Sequence, residues 1–200
     1  MNILLSFYLC IFSLGCVSLA KDSRPPVQTA SFVDLNRYLG KWYEVASIPQ
    51  SFQKQCVANT TAEYSLADNG LIKVFNSCTK IDNSISGAEA RARIIDTQSY
   101  SKLKVTFVKL FDWVFAFGGN YWILDVDSGY NVALVGDPSR NYAWILSRYP
   151  TLSTAQWIEA EKTFKIQGYD TCKILTSVQT GGLASRVPLC QHLKHFSFNR

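Results

Sequence analysis

Two hundred residues, 48% of them hydrophobic, 14% aromatic and only 18% charged, supply ample material for one domain with a core and exclude disorder for most of the chain. The formal net charge of +5 is concentrated at the end: residues 181–200 hold Arg186, Lys194 and Arg200 with no acid, which leaves +2 for everything before them. A body so nearly neutral excludes a nucleic-acid surface.

In chain order, residues 1–20 contain no charged side chain and close on Ser18-Leu19-Ala20, which predicts a signal peptide cut after Ala20. A second reading is open. Gly15-Cys16 resembles the lipobox of bacterial lipoproteins, and acylation of Cys16 would anchor the protein, in a bacterium at the outer membrane. No later run approaches the roughly 20 apolar residues of a membrane-spanning helix, so the mature chain is expected to be exported, secreted or periplasmic, soluble or lipid-anchored. Residues 21–33 read as a linker. Cleavage after Ala20 leaves Cys56, Cys78, Cys172 and Cys190, an even set that in an exported chain predicts two disulfides among three possible connectivities.

From about residue 40 to 148, short runs rich in Val, Ile, Tyr and Phe alternate with turn residues, predicting strands at 40–48, 57–66, 71–78, 86–96, 102–108, 121–125, 130–136 and 142–147. Asp68-Asn69-Gly70 accepts the positive φ of a tight hairpin, and folding back there favours Cys56 with Cys78, leaving Cys172 for Cys190. Asp127-Ser128-Gly129 and Gly136-Asp137-Pro138-Ser139 make two further turns. The period then changes. Ser153 and Gln156 form a capping box, Trp157, Ala160 and Phe164 share one face, and Gly168 ends a helix over about 153–167. A last strand is expected near 173–178, and the basic tail 181–200 is expected to be poorly ordered.

Three motifs stand in order: Gly40-Lys41-Trp42 followed by Tyr43-Glu44-Val45, Asp127-x-x-Tyr130, and Arg148 ending Tyr142-Ala143-Trp144-Ile145-Leu146-Ser147-Arg148. They resemble the signatures of the lipocalins, most strongly the branch that includes bacterial outer-membrane lipocalins, plant temperature-induced lipocalins and apolipoprotein D. Val126 stands where the second motif of the family has threonine. The resemblance covers residues 34–180 and implies an all-β fold, an eight-stranded antiparallel up-and-down barrel with one C-terminal α-helix packed outside. In it, Gly40, Trp42, Asp127, Tyr130 and Arg148 are structural, with the guanidinium of Arg148 stacked over the indole of Trp42 at the closed base.

Strand side chains alternate, so an inward Trp42 puts Glu44 and Ala46 inside too and, through the resemblance, orders the other strands. Ala62, Tyr64, Val74, Asn76, Ala90, Ala92, Val105, Phe107, Tyr121, Ile123 and Trp144 are the expected ligand-binding residues, small side chains facing large aromatic ones. Glu63, Lys73, Arg91, Arg93, Lys104 and Thr106 fall on the outside. Glu44 and Asn76 are polar exceptions, either satisfied internally, Glu44 by a tyrosine hydroxyl, or meeting a ligand head group. The connection at 109–120 is unusually apolar, and Phe111, Trp113, Phe115 and Phe117 are expected at the open mouth as a lid, a membrane contact or a contact with a second copy. The alternative is that this segment extends the flanking strands and caps the lumen.

The function expected from the resemblance is a carrier that holds a fatty acid or lysophospholipid for storage, transport or membrane maintenance, with no cofactor and no metal. An enzyme acting on lipid is the first rival, but the only histidines, His192 and His195, lie in the tail. A filled, purely structural barrel is the second, and Ala62, Ala88, Ala90 and Ala92 argue against it. Asn59-Thr60-Thr61 is a glycosylation sequon if the source is eukaryotic.

Overall fold

Alternation of apolar and polar residues between positions 40 and 147 builds eight strands in the computed structural model, which describes residues 24–67 and 69–194. The expected signal peptide, Cys16, Asp68 and His195 lie outside the described residues. A short helix, α1 (Leu35–Tyr38), leads into β1 (Gly40–Ser47), β2 (Ala58–Leu66), β3 (Ile72–Thr79), β4 (Ile85–Ile94), β5 (Lys102–Thr106), β6 (Gly119–Val126), β7 (Val132–Gly136) and β8 (Ala143–Ser147). Each strand pairs antiparallel with the next, and β1 pairs with both β8 and β2, so the sheet closes into the up-and-down barrel. Helix α2 (Thr154–Ile166) packs outside it, followed by β9 (Leu175–Thr176) and α3 (Leu189–His192).

Strand ends shift by a few residues for local reasons. Tyr130 has φ 57 and belongs to the turn, so β7 starts at Val132. Its turn is held by Asp127, whose carboxylate accepts from the backbone N–H of Gly129, Asn131 and Val132. Gly70, at φ 75, supplies the left-handed residue of the β2–β3 hairpin.

The barrel separates two cores. Inside, Trp42, Tyr64, Val74, Leu103, Ile123, Val135 and Leu146 pack together. Outside, Val45, Leu134 and Ile145 meet Trp157, Ala160 and Phe164 of α2. Ser153 caps that helix, with Gln156 returning the bond, and Gly168 at φ 77 ends it. Burying Phe164 completely contributes about 1.5–3 kcal/mol. Tyr169 then ties the helix end to the barrel: its hydroxyl accepts from Asp137 N and donates to Asp137 O, both at 2.9 Å.

Ala46 is a correction: it belongs to the outer core, not the lumen. The pairing of β1 with β8 shifts between Glu44 and Ala46, and this bulge turns both Val45 and Ala46 to the helix side. The tail is another correction. Through residue 194 it folds back on the barrel: Leu189 is fully buried, Leu193 nearly so, and the ring of His192 meets Trp157 edge-on at 5.0 Å. Disulfides join Cys56 to Cys78 and Cys172 to Cys190, and the second pins this returning segment.

The upper halves of β1 and β2 do not pair with each other, since their register covers only residues 40–43 against 61–64. Residues 175–180 fill the gap. β9 pairs with Ala46 and Ser47, Asn59 N donates to Val178 O, and the Gln179 side-chain amide donates to the carbonyls of Glu44 and Thr60, both at 2.8 Å. Asn59 is engaged at both ends of its side chain, donating to Thr79 and accepting from Thr180 N.

Candidate functional site

The base is closed by side chains the motifs point to. Trp42 is fully buried and donates its indole N–H to Tyr38 O at 2.8 Å. The Arg148 guanidinium lies 3.8 Å from the Trp42 ring centroid and donates to the carbonyls of Arg37, Tyr38 and Leu39 at the C-terminal end of α1 and to that of Lys41 in β1. A cation there meets both the ring face and the negative end of the short helix. Gly40 has φ 91, a conformation that lets the chain turn from α1 into β1 directly under this cation.

Above the base lies a cluster of three tyrosines. The Tyr121 hydroxyl is 2.8 Å from that of Tyr38 and 2.8 Å from that of Tyr64. Burial pushes the Tyr38 and Tyr121 hydroxyls well above their ordinary pKa and Tyr64 up to about 12, so all three hold their protons at neutral pH. Three protons serve two contacts, which leaves one hydroxyl proton to spare at the floor.

Over this floor the lumen opens into a cavity of about 450 Å³. Ala62, Tyr64, Val74, Asn76, Val105, Phe107, Tyr121 and Trp144 of the expected set line it. Ala90, Ala92 and Ile123 face inward but do not line it, and this corrects their expected place in the wall. They sit in the packed lower barrel, exposed by 0%, 1% and 0%, where alanines beside Tyr64 and Val74 make room for rings and leave no void. A second lobe of about 400 Å³ continues toward β4 between Asn76, Ser86, Ala88 and Phe107.

Most of the aromatic connection is not a lid over the mouth, which is a further correction. Thr106 Oγ1 donates to Val114 O and Val114 N to Val108 O, folding the segment against the outer face. There Trp113 lies under the Arg91 guanidinium at 4.8 Å and Phe115 under Arg93 at 4.7 Å. Phe111 points fully into solvent, and only Phe117 of the four borders the cavity, itself 73% exposed.

Sequence reasoning missed several members of the wall. Phe52 and Gln53 reach the cavity from a single 3-10 turn, Ser51–Gln53, and Phe52, an apolar residue within polar Gln50-Ser51-Phe52-Gln53, was the available signal. Glu44 is satisfied by serines and an amide, not by a tyrosine: Oε1 accepts from Ser47 at 2.9 Å and Ser177 at 2.7 Å, and Oε2 from Gln53 at 3.0 Å. The partner Ser177, 133 positions away, left no local trace.

Residues 33–179 match the family described as Lipocalin-like domain. Temperature-induced lipocalin-1 of Arabidopsis thaliana is 36% identical over 150 residues, 74% of this chain and 80% of that protein. Outer membrane lipoprotein Blc of Escherichia coli (strain K12) is 34% identical over 160 residues, covering 78% and 86%, and apolipoprotein D of Rattus norvegicus is 34% identical over 169, covering 80% and 84%. Among solved structures, insecticyanin from the tobacco hornworm superposes with a TM-score of 0.61 at 22% identity over 79% of this chain and 90% of that one. With the sealed base, the closed eight-stranded wall and these relatives in agreement, the chain belongs to the lipocalin family.

Proposed function

We propose that the protein is a non-enzymatic carrier for a single-chain lipid, with fatty acids and lysophospholipids the classes to test first, serving storage, transport or membrane maintenance. The observation that carries this reading is the cavity itself. Its volume of about 450 Å³ falls within the roughly 300–1,000 Å³ of small-molecule sites, and its wall is mostly aromatic and aliphatic. On this reading Ala62, Tyr64, Val74, Val105, Phe107, Tyr121 and Trp144 contact the chain, each buried methylene contributing about 0.8 kcal/mol. Among the described residues no histidine lines the wall, so none there can act as a general base or activate a nucleophile.

The exposed tip at Leu110 and Phe111, beside Lys109, belongs to the same reading as the part that touches a membrane while lipid is loaded, with pairing of two copies as the alternative use. On this reading residues 1–20 direct export, with cleavage after Ala20 or acylation at Cys16, and relatives named outer membrane lipoprotein support the second. Mass spectrometry of solvent extracts from purified protein is expected to show one bound lipid class. The intact mass distinguishes a chain starting at Lys21 from one starting at lipidated Cys16. A protein that extracts empty and fails to bind a polarity-sensitive dye is not a carrier.

A further inference from the structure

On the carrier reading, on which this inference rests, the floor of the lumen holds a donor that the protein itself does not use. The Tyr121 hydroxyl stands between those of Tyr38 and Tyr64, 2.8 Å from each, and among the described residues no other hydrogen bond reaches any of the three. Each hydroxyl has one proton to give and can accept two. Two contacts consume two protons, so in every arrangement one hydroxyl keeps a proton with no acceptor in the protein. The side chains packed around them, Val74, Leu103, Ile123 and Leu146, carry none. Burial is the chief cause that raises the pKa of all three tyrosines, as a dry surrounding requires.

Which hydroxyl keeps the proton decides whether a ligand can use it. Tyr64 and Tyr121 line the cavity. Tyr38 does not: it is 4% exposed, with its ring against Trp42 at 5.0 Å and Tyr64 at 5.6 Å. If Tyr121 accepts from both neighbours, its own proton is the spare one; if Tyr38 donates to Tyr121 and Tyr121 to Tyr64, the spare proton is on Tyr64. Only the reverse order strands it on Tyr38. An unmet buried donor is costly, so an acceptor arriving from the cavity selects one of the first two orders. A lipid that enters methyl end first covers the floor with hydrocarbon and leaves the proton unmet. One that enters with a carbonyl oxygen foremost meets it.

We propose that the ligand lies with a carbonyl oxygen at the floor, accepting from Tyr121 or Tyr64, and its alkyl tail toward the mouth. The class that fits is a single chain ending in a carbonyl group: long-chain methyl ketones, aldehydes and the carboxyl of a fatty acid, which burial favours in its protonated form.

Dodecan-2-one and dodecan-6-one have one formula and differ only in where the carbonyl stands, so displacement of N-phenyl-1-naphthylamine from the full mature protein tests the floor. The 2-isomer is expected to displace the dye at a concentration about tenfold lower, a difference of roughly 1.4 kcal/mol. Its carbonyl stretch when bound, read by infrared difference with a carbon-13 label, is expected below its position in hexane. Replacing Tyr38, Tyr64 and Tyr121 together by phenylalanine keeps the rings and removes the network without leaving a lone hydroxyl. This variant is expected to bind dye, to lose the isomer preference and to return the band to its hexane position. Tyr38→Phe alone leaves Tyr64 and Tyr121 with one spare proton and is expected to keep both. Should the triple variant bind no dye, Tyr64→Phe with Tyr121→Phe takes its place with the same expectation. Isomers that displace equally, a wild-type band at the hexane position, or a preference that survives the loss of the tyrosine hydroxyls overturns the proposal and leaves the carrier reading intact. Wild-type protein that binds neither dye nor ketone overturns the carrier reading itself.

Discussion

The two ends of the barrel are built on opposite principles. At the base, Trp42, Arg148, Tyr38 and Gly40 lock one another: the guanidinium of one side chain touches a ring and several carbonyls, and each atom has one position. At the upper end β1 and β2 splay apart, a distant segment fills the gap, and the rim presents Phe52, Phe107, Phe117 and Tyr142 at 36–73% exposure. The difference shows how one sheet can be both stable and receptive. Stability is concentrated where no ligand goes, and openness where few contacts are spent holding the strands together.

Substitutions can break that contrast. Trp42→Ala, at a fully buried indole, is expected to cost about 3–5 kcal/mol in urea unfolding, the largest single effect in the molecule. Should it cost under 1 kcal/mol, the base is not the anchor described. Replacing Cys56 and Cys78 by serine opens a closed loop spanning 22 positions and is expected to cost about 3 kcal/mol at the upper end, read from the same unfolding curves against the disulfide-intact wild type.

Tyrosine ionisation sharpens the comparison by probing the layer between the two ends. Tyr64 and Tyr169 are raised by burial to about 12 from an ordinary value of 10.0. The folded state thus holds these protons more tightly than the unfolded state does. Their stabilising contribution is complete below about pH 10, declines as the unfolded chain ionises, and is gone once the pH passes about 12. Absorbance at 295 nm should show Tyr64 and Tyr169 ionising only as the pH approaches about 12, and ionisation of both near the ordinary value of 10.0 would contradict the packing. Val105→Trp places an indole in the cavity wall and is expected to abolish dye binding with a change in stability under about 1.5 kcal/mol. The smallest effect on folding belongs to Phe111→Ser, within about 0.5 kcal/mol, while partition onto lipid vesicles falls.

Periodicity and turn residues made the barrel, the helix and the three turns legible, because each rests on a local pattern that the fold does not override. The lumen was legible wherever strands run without interruption, as at Ala62, Tyr64 and Val74, which pair in simple register. It failed at Ala46 because a bulge inserts one residue without altering composition. The aromatic connection failed for a different reason: Phe111, Trp113, Phe115 and Phe117 alternate as a strand would, but the outward Arg91 and Arg93 capture two of the rings. In the tail, Leu189 and Leu193 stand four apart around Cys190, a helical spacing beside a cross-link that signals docking despite the basic composition. The polar side of the cavity was legible only at Glu44 and Asn76, which strand alternation singles out, since the convergence of Gln53, Thr60 and Thr61 with them depends on a turn and a neighbouring strand.

The stitch at residues 175–180 also carries a lesson about timing. Gln179 bridges carbonyls of Glu44 and Thr60 across separations of 135 and 119 positions, so the wall made first stays unzipped until residue 179 has been synthesised. A growing chain on the ribosome is therefore a half-shut purse whose drawstring is a segment made well after the wall it closes. Cargo cannot be gripped until that cord is pulled through.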